Sequence, residues 1–356
     1  MNSGTSAHKT AFLEDGAITR PQFSSAQAGS IGLSWRKVLD CFFLLRIPLL
    51  APVWTILLLG WITASTSAAP GGFIRNPSLF SGELWLMLLG FSLIVASIYV
   101  VNQIVDIEGD RINRKLFLLP HGFLSLATAW TLAALCTAGG LVIVLAAGSN
   151  ALFIVFILSL VLGALYNLPP VHLKNSPLGG VAANALGHGM LTFLAGWFVA
   201  YAHEPMSGRI IVNGLIAGLS PALANAAVFL ATTIPDADGD RRTGKQTFCV
   251  KFGPKKTAVA SALFCAGALA ASFFMQQNWW IMAATAAISL ALFTLFAATA
   301  KREHAFKAFK WPVFLLSAFV AVYVPEYAVL ILLTFFGSKA YYKWRFGIEY
   351  PTFKAK

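Results

Sequence analysis

The chain has 356 residues, 58% of them hydrophobic and only 11% charged. One soluble core cannot take in that much apolar surface, so the composition excludes an ordinary water-soluble domain and points to a polytopic membrane protein. The formal net charge of +12 does not indicate a nucleic-acid partner, because the cations sit in short segments between long apolar runs, the pattern that sets membrane orientation.

Residues 1–34 are rich in Ser, Ala and Gly and contain no apolar h-region. They read as a flexible cytosolic tail rather than a signal peptide. A transmembrane domain is expected over 35–337, followed by a basic C-terminal tail over 338–356. Crossing a bilayer takes roughly 17–25 mostly apolar residues. Runs of that kind lie at 38–64, 83–104, 123–147, 150–166, 178–201, 210–234, 256–275, 278–299 and 311–336. The expected fold is an all-α membrane protein with about nine transmembrane helices around a central cavity open to the cytoplasmic side and to lipid. Cys41, Cys136, Cys249 and Cys265 are far apart and form no CxxC pair. They read as small core residues, not as a zinc site or disulfide framework.

Segments 105–122, 166–177, 235–256 and 301–310 hold fourteen Lys and Arg, whereas the alternate connections hold only Arg75 and Arg209. The positive-inside rule puts the first set, and the N-terminus, in the cytoplasm. Nine crossings would leave the C-terminus outside, against the charges of Lys339, Lys343, Arg345, Lys354 and Lys356. Pro325 interrupts the last run, and proline inside a helix removes a hydrogen bond and kinks it. Nine spans with a kinked last one is the expected arrangement. The alternative splits that run into two helices and returns the tail to the cytoplasm.

The second run ends in Asn102, Asp106 and Asp110. Positions i, i+4 and i+8 share a helix face, so these three project together. The sixth run ends in another i, i+4 carboxylate pair, Asp236 and Asp240. Both motifs fall on the side assigned to the cytoplasm, where they can face one cavity; carboxylates at membrane helix ends are costly without a cavity or partner. Hard oxygen ligands grouped this way suit Mg2+, which takes one or two carboxylates plus substrate phosphate oxygens. Solvated loop charges or calcium ligands are the plainer alternatives. Arg111, Arg114 and Lys115 follow the first motif, and Arg241, Arg242 and Lys245 the second. Such cations can meet diphosphate oxygens, or simply fix topology.

The loop after the fourth run contains Tyr166, Pro169, Pro170, His172 and Lys174. Its tandem prolines end the helix and stiffen the connection. Tyr166 fits two roles, a ring face toward developing positive charge or an interfacial anchor. Asn184 and His188 share a helix face, as do Asn225 and Asp236 about three turns apart. These polar residues can orient an acceptor and assist proton removal, or serve as interhelical hydrogen-bonding glue. Arg46 can reach the cytoplasmic cavity or snorkel to the interface.

Over roughly 35–335 the sequence resembles the UbiA superfamily of intramembrane prenyltransferases. The resemblance rests on three ordered motifs. The first is an NxxxDxxxD element at Asn102, Asp106 and Asp110, with Asn113, Gly122 and Ser125 trailing it. The second is a Tyr-x-x-Pro-Pro element at 166–170 with Lys174 downstream, and the third is Asp236 and Asp240 with Gly244 and Thr247. It implies that Mg2+ bridges the aspartates and the diphosphate of an allylic isoprenoid. Departure of pyrophosphate then generates an allylic cation, which a lipophilic and commonly aromatic acceptor attacks. Asn102, Asp106, Asp110, Asp236 and Asp240 become the diphosphate–magnesium residues, Lys174 a diphosphate contact and Tyr166 a cation-side contact. Two expected arginines are replaced, by Phe117 and His172. The Asn-Gln start and the missing arginine look more like the homogentisate-prenylating branch than the ubiquinone or menaquinone branches. Two rivals to an acceptor-prenylating enzyme are a cyclase that ionises the same diphosphate and closes the chain on itself, and a transporter with an intramembrane cation site.

Overall fold

Apolar runs separated by serine caps and proline breaks give a chain of helices. A computed structural model describes residues 35–68, 82–112, 118–275 and 277–351. The N-terminal tail, Arg75, Asn113, Arg114, Lys115, Phe117, Lys354 and Lys356 lie outside the described residues. Every regular element among those described is helical. In chain order they are α1 (Trp35–Leu44), α2 (Ile47–Ala68), α3 (Gly82–Val105), α4 (Ile107–Ile112), α5 (Leu126–Ala146), α6 (Asn150–Asn167), α7 (Pro177–Asn184), α8 (Thr192–Ala200), α9 (Gly208–Arg242), α10 (Phe248–Ser272), α11 (Trp279–Thr299), α12 (Arg302–Tyr323) and α13 (Pro325–Phe346). Ser125, Ser149, Ser176 and Ser207 each accept a hydrogen bond from a backbone N–H in the first turn of α5, α6, α7 and α9. These caps satisfy amides that a helix start leaves without intrahelical partners.

α5 shows why the assembly suits lipid. One stripe, Ala129, Ala133, Cys136, Gly140 and Val144, is buried, while Leu135, Val142 and Leu145 on other faces are more than 60% exposed. Water would penalise that exposure, and hydrocarbon does not. All four cysteines are free, and three are buried, as expected of small core residues. α2 and α8 approach backbone to backbone: a Cβ on Gly196 would stand 1.7 Å from the Leu57 carbonyl oxygen, and one on Gly60 2.1 Å from that of Phe193.

Eight segments among the described residues are long and apolar enough to cross a membrane. α10 begins with Lys251, Lys255 and Lys256 and falls outside that set, as does α13. Length and composition therefore do not fix the count at nine. The clearest difference from expectation is the last run, 311–336. It is not one kinked span but two helices meeting at Val324, with φ −127° and ψ 82°. At the end of α12, Tyr323 donates to Asn278, which itself donates to the Ile62 carbonyl near the far end of α2. Tyr327 then hydrogen-bonds Thr55, and the end of α13 reaches Asp40 in α1. The chain has reversed, so the basic residues of α13 return to the end of the bundle where α1 begins. Proline at the first turn of α13 explains the break, since its missing N–H costs nothing there and would interrupt a continuing helix. α13 also runs on through the expected domain boundary at 337/338.

Candidate active site

Asp106 occupies the single-residue step between α3 and α4. The helical hydrogen bonds nevertheless continue, from Asp106 N to the Asn102 carbonyl at 3.0 Å and from Asp110 N to the Asp106 carbonyl at 2.8 Å. The i, i+4, i+8 spacing thus keeps its geometric meaning. The second motif lies wholly within α9, whose 35 residues span about 50 Å at 1.5 Å per residue. That exceeds a hydrocarbon core of about 30 Å, which is enough length for the Asp236 and Asp240 turns to extend past an apolar layer. Asp240 is buried and Asp236 half-buried.

The chain leaves α9 through Gly244, whose φ of +75° is a conformation that L side chains rarely adopt. Lys245 N then returns to the Asp240 carbonyl at 2.9 Å. This turn aims the Lys245 side chain at the first motif, with Nζ 2.7 Å from Asp106 Oδ1. A Cβ on Gly109 would meet that same ammonium at 3.6 Å. The two motifs are therefore brought together, through Lys245.

The Tyr-Pro-Pro loop supplies the third wall. His172 adopts the left-handed region at φ 46° and starts a short 3-10 turn, Leu173–Asn175. Buried Lys174 on that turn places Nζ 2.9 Å from Asp106 Oδ1. Burial pushes the Asp106 carboxyl up, but the Lys174 and Lys245 ammoniums outweigh it and hold the group below the ordinary carboxylate range. Burial likewise draws Lys174 below the usual range of a lysine, with Asp106 opposing. A charged carboxylate shared between two ammoniums accounts for both directions.

An amide network frames this centre. Asn102 Nδ2 donates to Asp106 Oδ2 at 3.1 Å and to Asn167 Oδ1 at 2.9 Å. Asn167 is fully buried and also receives Lys174 Nζ at 3.5 Å. Arg46 Nη1 donates to Asn102 Oδ1 at 3.5 Å, while its buried Nε has no partner. Tyr166 lies near Asn184 and within electrostatic reach of Asp106 and Asp240. His188 stacks on Tyr99, centroids 5.7 Å apart, and the Arg46 guanidinium sits 6.0 Å from the Tyr99 ring centroid. His188 belongs to a π-helical stretch, Ala185–Leu191, a local widening that often marks functional positions.

Asn102, Asp106, Lys174, Lys245, Arg46 and His188 are thus linked side chain to side chain or through Asn167 and Tyr99, while Asn184 donates to the Gly180 carbonyl of its own helix. Arg111 is not part of that network: it is exposed and paired with Glu108 at 2.6 Å. Burial and then Lys174 lower the His172 imidazole below its ordinary range. Asn167 and Tyr99 were missed in the sequence. The available signal was a polar amide closing an otherwise apolar helix beside Tyr166.

The donor set fits a magnesium diphosphate better than a bare ion. Among the described residues no three His, Cys, Asp or Glu side chains cluster closely enough to cage a metal. Mg2+ ordinarily takes only one or two carboxylates and completes its shell with phosphate oxygens and water. Two ammoniums on Asp106 Oδ1 and an orphaned guanidinium N–H are groups that a bound diphosphate would satisfy.

The profile described as the UbiA prenyltransferase family matches residues 58–319. A probable homogentisate phytyltransferase 2 of Oryza sativa subsp. japonica is 31% identical over 231 residues, 61% of this chain and 60% of that protein. A digeranylgeranylglyceryl phosphate synthase of Methanoculleus marisnigri is 32% identical over 223 residues, 62% of this chain and 74% of the relative. Matches to two hop prenyltransferases span only about half of those proteins. Among solved structures, a UbiA homologue from Archaeoglobus fulgidus bound to GPP and Mg2+ superposes with a TM-score of 0.61 at 18% identity, covering 82% of this chain and 99% of that one.

Proposed function

Because the chain belongs to the UbiA prenyltransferase family, we propose that it is an integral-membrane prenyltransferase. It moves an isoprenoid chain from an allylic prenyl diphosphate to a lipophilic, aromatic acceptor. The observation that carries this reading is the convergence on Asp106 of Lys174 and Lys245, from two distant segments. A carboxylate already ringed by cations is suited to a substrate that brings both anionic oxygens and a divalent ion.

Bound Mg2+ would neutralise the diphosphate and make pyrophosphate a better leaving group. Asp106, Asp110, Asp236 and Asp240 are the residues that would hold it, with Asn102 orienting Asp106. Lys174, Lys245 and Arg46 contact diphosphate oxygens and stabilise the departing charge. Arg114 is the remaining sequence candidate for such a contact, and Arg111 would have to leave Glu108 to join it. The prenyl C–O bond breaks, and both its electrons leave with pyrophosphate. The acceptor ring forms the new C–C bond and loses a proton. Tyr166 presents its ring to the electron-poor carbon, and the surrounding apolar helices keep water from it. Asn184 and His188 face the acceptor. The basic end of the bundle, which holds these residues, faces the cytoplasm by the positive-inside rule.

A donor–acceptor panel analysed by mass spectrometry, with and without Mg2+, tests the reading. Geranylgeranyl diphosphate and homogentisate are the first pair. A prenylated acceptor and released pyrophosphate are expected. A cyclic hydrocarbon formed from the diphosphate alone would overturn the transferase assignment in favour of a cyclase.

A further inference from the structure

α1 and the joint that follows it precede the stretch 58–319 that the family profile matches, yet the helix carrying the first aspartate motif grips them. Tyr99, Asn102 and Gln103 stand at i, i+3 and i+4 of α3, on one face. Gln103 is 3% exposed and donates from Nε2 to the Leu44 carbonyl at 2.8 Å and to the Tyr99 carbonyl at 3.1 Å. A side-chain amide nitrogen has two hydrogens, so both are used, and the group is fixed against its own helix while it holds another. Arg46 Nη1 donates to Asn102 Oδ1 at 3.5 Å, and the Tyr99 hydroxyl to the Leu49 carbonyl at 3.4 Å. These three neighbours on α3 therefore meet the chain before, at and after Arg46.

The joint needs such a grip. α1 ends at Leu44, and the last carbonyls of a helix lack intrahelical partners. The residue four places on is Pro48, which has no N–H to give. The chain then turns through Arg46 at φ 58°, a left-handed conformation that a residue with a side chain keeps only where its surroundings dictate it. Arg46 N reaches the Phe43 carbonyl at 3.1 Å, and Leu49 N the Arg46 carbonyl at 2.7 Å, so the bend is tight on both sides. One turn earlier α1 is tied to α13. Asp40, 2% exposed, receives Arg345 Nε and Nη2 at 3.1 Å each and the Tyr341 hydroxyl at 2.6 Å. With α1 anchored at Asp40 and at Leu44, the base of the Arg46 side chain has little freedom. Its guanidinium stands 6.0 Å from the Tyr99 ring centroid, and its buried Nε has no partner.

We propose that Gln103 is a positioning residue: its amide, by holding the Leu44 carbonyl, keeps the Arg46 guanidinium beside Asn102 with Nε free for a phosphate oxygen. The role rests on the diphosphate reading given above. Gln103 itself touches no substrate. Its effect is conformational, because a guanidinium on a flexible stem binds an anion more tightly when its base is already fixed. Asn102 also donates to Asp106 at 3.1 Å, so one face of α3 registers Arg46 against the carboxylate of the first motif.

Gln103→Met, Arg46→Ala and the double variant, each full-length and purified in nanodiscs, are compared with the wild type. Inorganic pyrophosphate with Mg2+ is titrated calorimetrically, and steady-state constants are measured for geranylgeranyl diphosphate and homogentisate. Gln103→Met should weaken pyrophosphate binding and lower kcat/KM for the donor about tenfold, a change of about 1.4 kcal/mol. The acceptor KM should stay within about twofold, which a general loosening of the bundle would not spare. Because the effect passes through Arg46, the double variant should match Arg46→Ala within about twofold. Gln103→Asn keeps the amide but draws it back by a methylene, and it carries the same expectations should the Met protein fail to fold. Losses that multiply in the double variant would overturn the proposal, since Gln103 would then act independently of Arg46. Pyrophosphate binding by Gln103→Met and Gln103→Asn equal to that of the wild type would overturn the role of Gln103 alone. Absence of pyrophosphate binding by the wild type would overturn the diphosphate reading together with it.

Discussion

The Lys245 ammonium lies 2.7 Å from Asp106 Oδ1 although 139 residues separate the two in sequence. This pair ties the exit of α9 to the break between α3 and α4, and it does so at the oxygen that Lys174 also occupies. The site is held in readiness by a charge arrangement that the substrate would reorganise. Under the proposed function, each lysine would have an anionic oxygen to move to if a metal claimed the carboxylate.

Replacing Asp106 by Asn tests that arrangement. The variant removes the counter-charge of Lys174, whose side chain is only 5% exposed. Leaving a buried charge without its partner costs about 3 kcal/mol or more. We expect a lower melting midpoint and a loss of turnover of at least about a hundredfold, a size typical of removing one preorganised electrostatic group. Turnover near that of the wild type would contradict the role of Asp106.

Lys174→Met and Arg111→Ala should behave oppositely. Lys174 is buried against Asp106 and Asn167, whereas Arg111 is exposed and bound to exposed Glu108. Exposed ion pairs of that kind contribute about 1 kcal/mol or less. Donor KM should rise about tenfold or more for Lys174→Met and change less than about twofold for Arg111→Ala. Equal effects in steady-state kinetics would show that position within the network does not matter.

Asn167→Leu addresses a residue that carries no charge. Its carbonyl oxygen accepts from Asn102 and Lys174, and its amide donates to the Gly163 carbonyl at 3.0 Å. Leucine is close in size but removes the acceptor, leaving buried Lys174 and half-buried Asn102 each short of a partner, at about 1–3 kcal/mol for a buried donor. The expected result is a kcat decrease of about tenfold or more while the helical circular dichroism spectrum stays unchanged. A kcat equal to that of the wild type would make Asn167 a packing residue only.

The difference between what spacing revealed and what it did not has a physical basis. Asn102, Asp106 and Asp110 were legible because the 3.6-residue period is a local property, and the backbone bonds across the Asp106 step preserve it. The apolar runs were legible because a bilayer demands length and apolarity of each span by itself. Asp40 and Arg345 were not, since their 305-residue separation is closed only by the packing of α1 against α13. The reversal at Val324 turned on the same issue. Pro325 announced a break, but the side to which the chain goes next depends on Tyr327 finding Thr55, which also bonds Ser317. Asn167 was hidden for a different reason, because an isolated amide has no pattern until its partners are in place.

Metal dependence is tested by chelation. Activity should vanish in excess EDTA and return when Mg2+ exceeds the chelator, with the melting midpoint little changed. The stability expectation follows from the lysines, which already neutralise Asp106 in the ligand-free protein. Product formation that persists in EDTA would mean that the cations of the chain suffice for diphosphate departure.

The α2–α8 crossing gives a prediction independent of chemistry. A Cβ at Gly196 would stand 1.7 Å from the Leu57 carbonyl oxygen, and the Leu57 carbonyl carbon would be 2.7 Å away. These are backbone atoms of a neighbouring helix, so no side chain can rotate aside and the two helices must separate. Overpacking of this kind costs about 1–3 kcal/mol and sometimes more. Gly208 is the matched control: it lies in the first turn of α9, where Ser207 caps the helix, and nothing lies within 4 Å of a Cβ built there. Gly208→Ala should be neutral or slightly stabilising, because alanine at a compatible position restricts the unfolded chain. Gly196→Ala should lower the midpoint of thermal unfolding in detergent, while the protein that remains folded keeps its kcat. Equal midpoints for the two variants would mean that the helices do not meet backbone to backbone at this crossing.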